Sequence, residues 1–193
     1  NNTSREENLF AEQDGGCILN LDDISFIPKV PHFPELICFR YNPGPRRTGN
    51  VIIGNPVEAK YGVAHEQLVE AYKLSRERGA RRFGLHTMVA SNERDCTYII
   101  ETARMLLELT ALVDDELGIK FEFVNIGGGI GIPYRPEQEE VDLERVAAGI
   151  EIGQPRIGGP GVMHAVPAPA ADEPEPYLTG ALLKLAKVIQ KTS

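Results

Sequence analysis

Apolar and polar positions follow two periods along the first 150 residues. Leu68, Ala71, Tyr72 and Ser75 recur at three and four within residues 65–78, and Gly79 follows, which predicts an amphipathic helix with a C-terminal glycine. A second stripe, Ile99, Ala103, Leu106, Thr110, Val113 and Leu117, predicts a helix that starts near Asp95 and closes at Gly118. Between these patterns lie short apolar runs over residues 17–21, 36–41, 82–89 and 121–126, each of strand length and composition. The spacing Thr3-Ser4-Arg5-Glu6 is that of a capping box and predicts a short helix over residues 4–13, closed by Gly15-Gly16. Asp22-Asp23 stands where a strand hands over to a helix, so its first use is as an N-cap. A further helix is predicted over residues 141–150, with Leu143, Val146, Ala147 and Ile150 facing inward.

Strand, helix, strand, helix, strand, with strands that are apolar rather than alternating, implies an α/β fold with a parallel sheet covered by helices. Ligands of such sheets collect at the carboxyl ends of the strands. Asn42-Pro43, Ser91-Asn92 and Gly127-Gly128-Gly129 all fall at those ends. The triple glycine has two readings, a turn that needs positive φ or a set of unobstructed N–H donors that cradle a phosphate. Its convergence with two other strand ends on one rim favours the cradle. The glycines are contiguous rather than spaced as GxGxxG, and Pro133 limits a following helix, which argues against a dinucleotide site.

Residues 46–62 form a long polar connection that carries Lys60; loops of that length are usually functional or mobile, although a lone loop lysine is most often only solvated. From 153 to 176 proline, glycine and alanine predominate, which reads as a poorly packed loop. In the last stretch Leu178, Leu182, Leu185 and Ile189 have helical spacing, while Gly180 leaves a strand open. The expected organisation is therefore a parallel α/β unit over residues 1–152, a loop over 153–176 and a helix or strand over 177–193.

Composition narrows the partner class. A length of 193 residues with 42% hydrophobic positions supports one domain with a real core. A net charge of −8 and a pI near 5.1 disfavour nucleic acid and acidic membrane surfaces, leaving a small molecule or a protein as partner. Cys17, Cys38 and Cys96 are odd in number and widely spaced, which predicts buried structural thiols of a reducing compartment. There is no CxxC pair for a metal, no apolar run of membrane-spanning length and no signal segment, so the expectation is a cytoplasmic protein. The chain opens at Asn1, without an initiator methionine, which suggests a piece of something longer.

Three stretches carry a resemblance to a known family. They are Thr48-Gly49-Asn50-Val51-Ile52-Ile53-Gly54-Asn55-Pro56-Val57-Glu58-Ala59-Lys60-Tyr61-Gly62, the strand end Gly84-Leu85-His86-Thr87-Met88-Val89-Ala90-Ser91-Asn92, and the loop Asn125-Ile126-Gly127-Gly128-Gly129-Ile130-Gly131-Ile132-Pro133-Tyr134. In order and spacing, over roughly residues 1 to 150, they resemble the diaminopimelate decarboxylases, within the pyridoxal-phosphate decarboxylases of the alanine-racemase barrel type. The resemblance implies a partial (β/α)8 TIM-type barrel whose strand ends hold pyridoxal 5'-phosphate. It matches Gly127, Gly128 and Gly129 to the phosphate loop, Ser91 to a serine that also contacts the phosphate, and Arg40 to the arginine of an Arg-x-Asn-Pro strand end near the cofactor. Lys60 and Gly62 match a Ser-Lys-Phe-Gly loop on the substrate side, and Glu173 stands where a glutamate would pair with the pyridine nitrogen.

The departures matter as much. His86 matches the first histidine of the family's His-x-His-Ile-Gly-Ser strand end and reads equally well as a satisfied interior histidine. Met88 replaces the second, ring-stacking histidine, and Ala90 replaces the glycine. Glu173-Pro174 is followed by Glu175-Pro176 where Gly-Arg would stand. No lysine here has the Tyr-x-x-Lys-Ala-Asn context of the residue that the family joins to its cofactor, and the family's C-terminal β-domain has no match. The resemblance thus implies the central part of an enzyme that takes meso-diaminopimelate to L-lysine and CO2, homodimeric when whole, with no catalytic residue of its own in this stretch and no activity alone. The rival expectation is a non-catalytic half-barrel binding or regulatory protein that keeps a phosphate-cradling loop.

Overall fold

The computed structural model describes residues 3–14, 17–47 and 61–152. Four strands, β1 (Leu19–Leu21), β2 (Leu36–Tyr41), β3 (Arg82–Thr87) and β4 (Phe123–Asn125), form one all-parallel sheet in the order β1-β2-β3-β4. The helices are α1 (Arg5–Gln13), α2 (His65–Glu77), α3 (Cys96–Leu117) and α4 (Leu143–Ile152). Strand order equals chain order, so the sheet has no switch point. Helices α2 and α3 both cover the face that carries Ile37, Phe39, Tyr41, Phe83 and Leu85. Sequential parallel strands with every crossover helix on one side make an arc of a (β/α) barrel rather than a doubly wound sheet.

Tyr72 of α2 is the hub of this core. Its ring meets Phe39, Phe83 and Phe121 edge-on, with centroids 5.1, 5.9 and 4.9 Å away, and its hydroxyl donates to the Gly84 carbonyl at 2.7 Å. The predicted stripe of α2 is the one buried: Leu68, Ala71, Tyr72 and Ser75. In α3, Asp95 caps the N-terminus by accepting from the Thr97 N–H, and Gly118 ends the helix at φ +67. A second cluster joins Cys96, Ile99 and Ala103 of α3 to Val146, Ala147 and Ile150 of α4. The two helices cross closely there, since a Cβ on Gly149 would lie 2.3 Å from Ile100 Cδ1.

Several expectations shift. The capping box of α1 uses Ser4 and Glu7, one residue later than Thr3 and Glu6; both pairs have the spacing, and only the extended backbone at Ser4 selects between them. Asp23 does cap the next element, its Oδ1 accepting from Ser25 N–H at 2.7 Å, but that element is a 3-10 helix, Ile24–Lys29, with Pro28 inside it. The strand expected over 17–21 is reduced to Leu19–Leu21, because its ladder begins where Leu19 meets Ile37. Cys17 therefore stays exposed, against the expectation of a buried thiol; Cys38 and Cys96 are buried, and all three are free. The strands expected over 82–89 and 121–126 are shorter too, ending at Thr87 and Asn125. The segments 153–176 and 177–193 lie outside the described residues, as does the closing pair Gly15-Gly16. Among the described residues no helix is long and apolar enough to cross a membrane.

Candidate functional site

The strand register sets the site. Arg40 of β2 pairs with His86 of β3, and His86 pairs with Asn125 of β4, so three polar residues form one row at the C-terminal end of the sheet. They occupy the face opposite the helices, because side chains alternate along a strand and Phe39, Tyr41 and Leu85 point into the helical core. The imidazole of His86 is partly buried and its Nδ1 lies 2.9 Å from Asn20 Nδ2. Burial, and then the charge of Arg40, push His86 down to about 4, so the ring is neutral near pH 7. Arg40 donates a long 3.4 Å hydrogen bond to the Met88 carbonyl, and its guanidinium lies 5.6 Å from the Tyr61 ring centroid. Burial pushes the Cys38 thiol, on the same face, up to about 12, which leaves it unreactive.

Beyond β4 the chain turns through the glycines. Asn125 Oδ1 accepts the Gly127 N–H at 2.8 Å, closing an Asx turn. Gly127 and Gly129 have φ of +83 and +84, and both back onto the end of β3. A Cβ at Gly127 would lie 2.3 Å from the Thr87 carbonyl oxygen and 3.3 Å from Met88 Sδ. A Cβ at Gly129 would lie 2.3 Å from the Ala90 carbonyl oxygen and 2.8 Å from Ser91 Cα. The loop is tied to the β3 exit by Glu93 N–H to Gly129 O and Gly131 N–H to Glu93 O, each 2.7 Å. Gly128 differs, with nothing within 4 Å of a Cβ built on it. The N–H groups of Gly128 and Gly129 have no hydrogen-bond partner among the described residues. Unpaired backbone N–H donors on a loop of glycines are suited to an anionic oxygen.

The structure thus gathers Arg40, His86, Met88, Ser91, Gly127, Gly128 and Gly129 at one strand-end rim. Lys60 and Glu173 lie outside the described residues, although Tyr61 and Gly62 return to this rim: Gly62 N–H donates to Asp22 O, and Val63 N–H to Arg40 O. Sequence reasoning missed Asn20 and Asn125. Each had a signal, a polar side chain inside or ending an otherwise apolar run.

The family model for the pyridoxal binding domain of the pyridoxal-dependent decarboxylases matches residues 17–154. The chain belongs to this family. Among curated relatives it is similar to Protein TabA of Pseudomonas amygdali pv. tabaci, 37% identical over 147 residues, which are 76% of this chain and 35% of that protein. The diaminopimelate decarboxylase of Thermoplasma acidophilum is 33% identical over 152 residues, 77% of this chain and 37% of the relative. Among solved structures, the diaminopimelate decarboxylase of M. jannaschii in complex with L-lysine superposes with a TM-score of 0.65 at 25% identity, over 78% of this chain and 37% of the other. The chain spans a little over a third of the length of these relatives.

Proposed function

We propose that this chain supplies the phosphate-loop side of the pyridoxal 5'-phosphate site of an amino-acid decarboxylase, and that the whole enzyme converts meso-diaminopimelate to L-lysine and CO2. The observation that carries the reading is the seating of the Gly127–Gly129 loop. Two of its glycines pack against the β3 exit beside Ser91, while Gly128 faces open space and its N–H and that of Gly129 are unpaired among the described residues. The names of several relatives support the substrate.

The bound cofactor supplies a ring that draws electron density from the carbon losing CO2. The protein's residues bind and orient. The loop N–H groups and Ser91 hold the phosphate, and Arg40 adds a fixed positive charge to a rim that must accept a dianion. His86 is neutral and contributes a hydrogen bond rather than a charge. Met88, beside Gly127, gives the ring a soft apolar face where a histidine would otherwise stack. The family resemblance matches Glu173 to the glutamate that would pair with the pyridine nitrogen, and Lys60 to a loop on the substrate side. The three free thiols fit a reducing cytoplasm, and a homodimer is the expected assembly of the whole enzyme.

The test is CO2 release from meso-diaminopimelate by the whole enzyme that contains this stretch, supplied with pyridoxal 5'-phosphate, compared with its Gly128→Asp variant. Expected is release that the substitution abolishes while the far-ultraviolet spectrum stays unchanged. Cofactor uptake by Gly128→Asp equal to that of the wild type would overturn the phosphate assignment. Release from arginine but not from diaminopimelate would overturn the substrate.

A further inference from the structure

Asn20 sits on β1 and His86 on β3, with β2 between them, yet their side chains meet at 2.9 Å. Register explains how. Asn20 stands opposite Cys38, and Cys38 opposite Gly84, two residues before the pair Arg40 and His86, so the two side chains meet diagonally across β2 between Cys38 and Arg40.

The contact has a chemical consequence. An amide nitrogen is a donor only, and a ring nitrogen accepts only when it bears no proton. With Nδ1 accepting from Asn20, the single proton of a neutral imidazole resides on Nε2. The groups in the rows around the ring are Arg40 and Cys38 from β2 and Asn125 from β4. The cation among them opposes a second positive charge, and the thiol stays neutral at working pH.

We propose that Asn20 is a positioning residue that fixes His86 in its neutral Nε2–H tautomer, so that this N–H is the donor offered to an oxygen of the phosphorylated pyridoxal. The inference rests on the cofactor reading given above, but its first half does not need the cofactor to be bound. Asn20 is exposed, so replacing it leaves the core intact.

The experiment is long-range 1H–15N spectroscopy of the His86 ring in the wild type, Asn20→Ala and Asn20→Asp, followed by titration of the wild type with pyridoxal 5'-phosphate. The wild type should show an unprotonated Nδ1 and a protonated Nε2. Asn20→Ala should mix the two tautomers. Asn20→Asp should place the proton on Nδ1 and raise the apparent pKa of His86 by about 1 to 3 pH units, as a neighbouring carboxylate does. An unchanged tautomer in both variants would overturn the positioning role. An Nε2 resonance that does not move when the cofactor is bound would overturn the donor role. Failure of pyridoxal 5'-phosphate to bind at all would refute the cofactor reading and leave the tautomer result standing on its own.

Discussion

Gly129 and Ala90 approach so closely that a Cβ on the glycine would lie 2.3 Å from the alanine's carbonyl oxygen. The contact fastens the loop after β4 to the exit of β3, and Gly127 repeats it against Thr87. Both glycines also hold positive φ. Gly127→Ala and Gly129→Ala should each destabilise by about 2–4 kcal/mol, from backbone strain together with a clash that no rotamer relieves. Gly128→Ala should change stability little, since its Cβ meets open space. Urea unfolding of the three variants, with hydrogen exchange at the Glu93 and Gly131 amides that tie the loop, measures the difference.

His86 makes stability depend on pH. Its folded value of about 4 lies below the ordinary 6.5, so below about pH 6.5 the unfolded chain takes up a proton that the folded ring refuses. The stabilisation is complete above pH 6.5 and is lost as pH falls toward 4. Because the ring is partly solvated, the loss is on the order of 1–2 kcal/mol rather than the full equivalent of the shift. Unfolding free energies at pH 7 and pH 4.5 should fall further in the wild type than in His86→Gln.

Tyr72→Phe removes the hydroxyl that donates to Gly84 O while sparing the three edge-on ring contacts. The expected cost is about 1–2 kcal/mol, the usual range for a buried hydrogen bond. Equilibrium denaturation, with an unchanged denaturant slope, measures it.

On the inner face Phe123 lies over Gly84, and a Cβ there would stand 2.2 Å from its ring. Gly84→Ala should cost about 1–3 kcal/mol by overpacking. Combined with Phe123→Leu the two should couple favourably in a double-mutant cycle, because the smaller side chain vacates the space.

The repeating α/β pattern was legible because each helix carries its stripe on one side: Leu68, Ala71, Tyr72 and Ser75 are the residues α2 buries. The strand-end rim followed from that pattern, and with it the grouping of Ser91 with the glycines. Strand lengths were less legible, because an apolar run is no shorter where its ladder partner ends; residues 17 and 18 are apolar yet unpaired. Asn20 could not be linked to His86 from spacing, since the contact spans 66 residues and a whole strand. Nor does composition separate a turn glycine from a binding glycine. Gly127 and Gly129 prove to be packed against backbone, which leaves Gly128 as the one facing outward.

The phosphate loop is tested most directly by amide nuclear magnetic resonance of the isotopically labelled protein during titration with pyridoxal 5'-phosphate. The largest shifts are expected at the Gly128, Gly129 and Ser91 amides, and they should disappear in Gly128→Asp. Saturable binding that leaves those three amides unmoved would contradict the phosphate assignment.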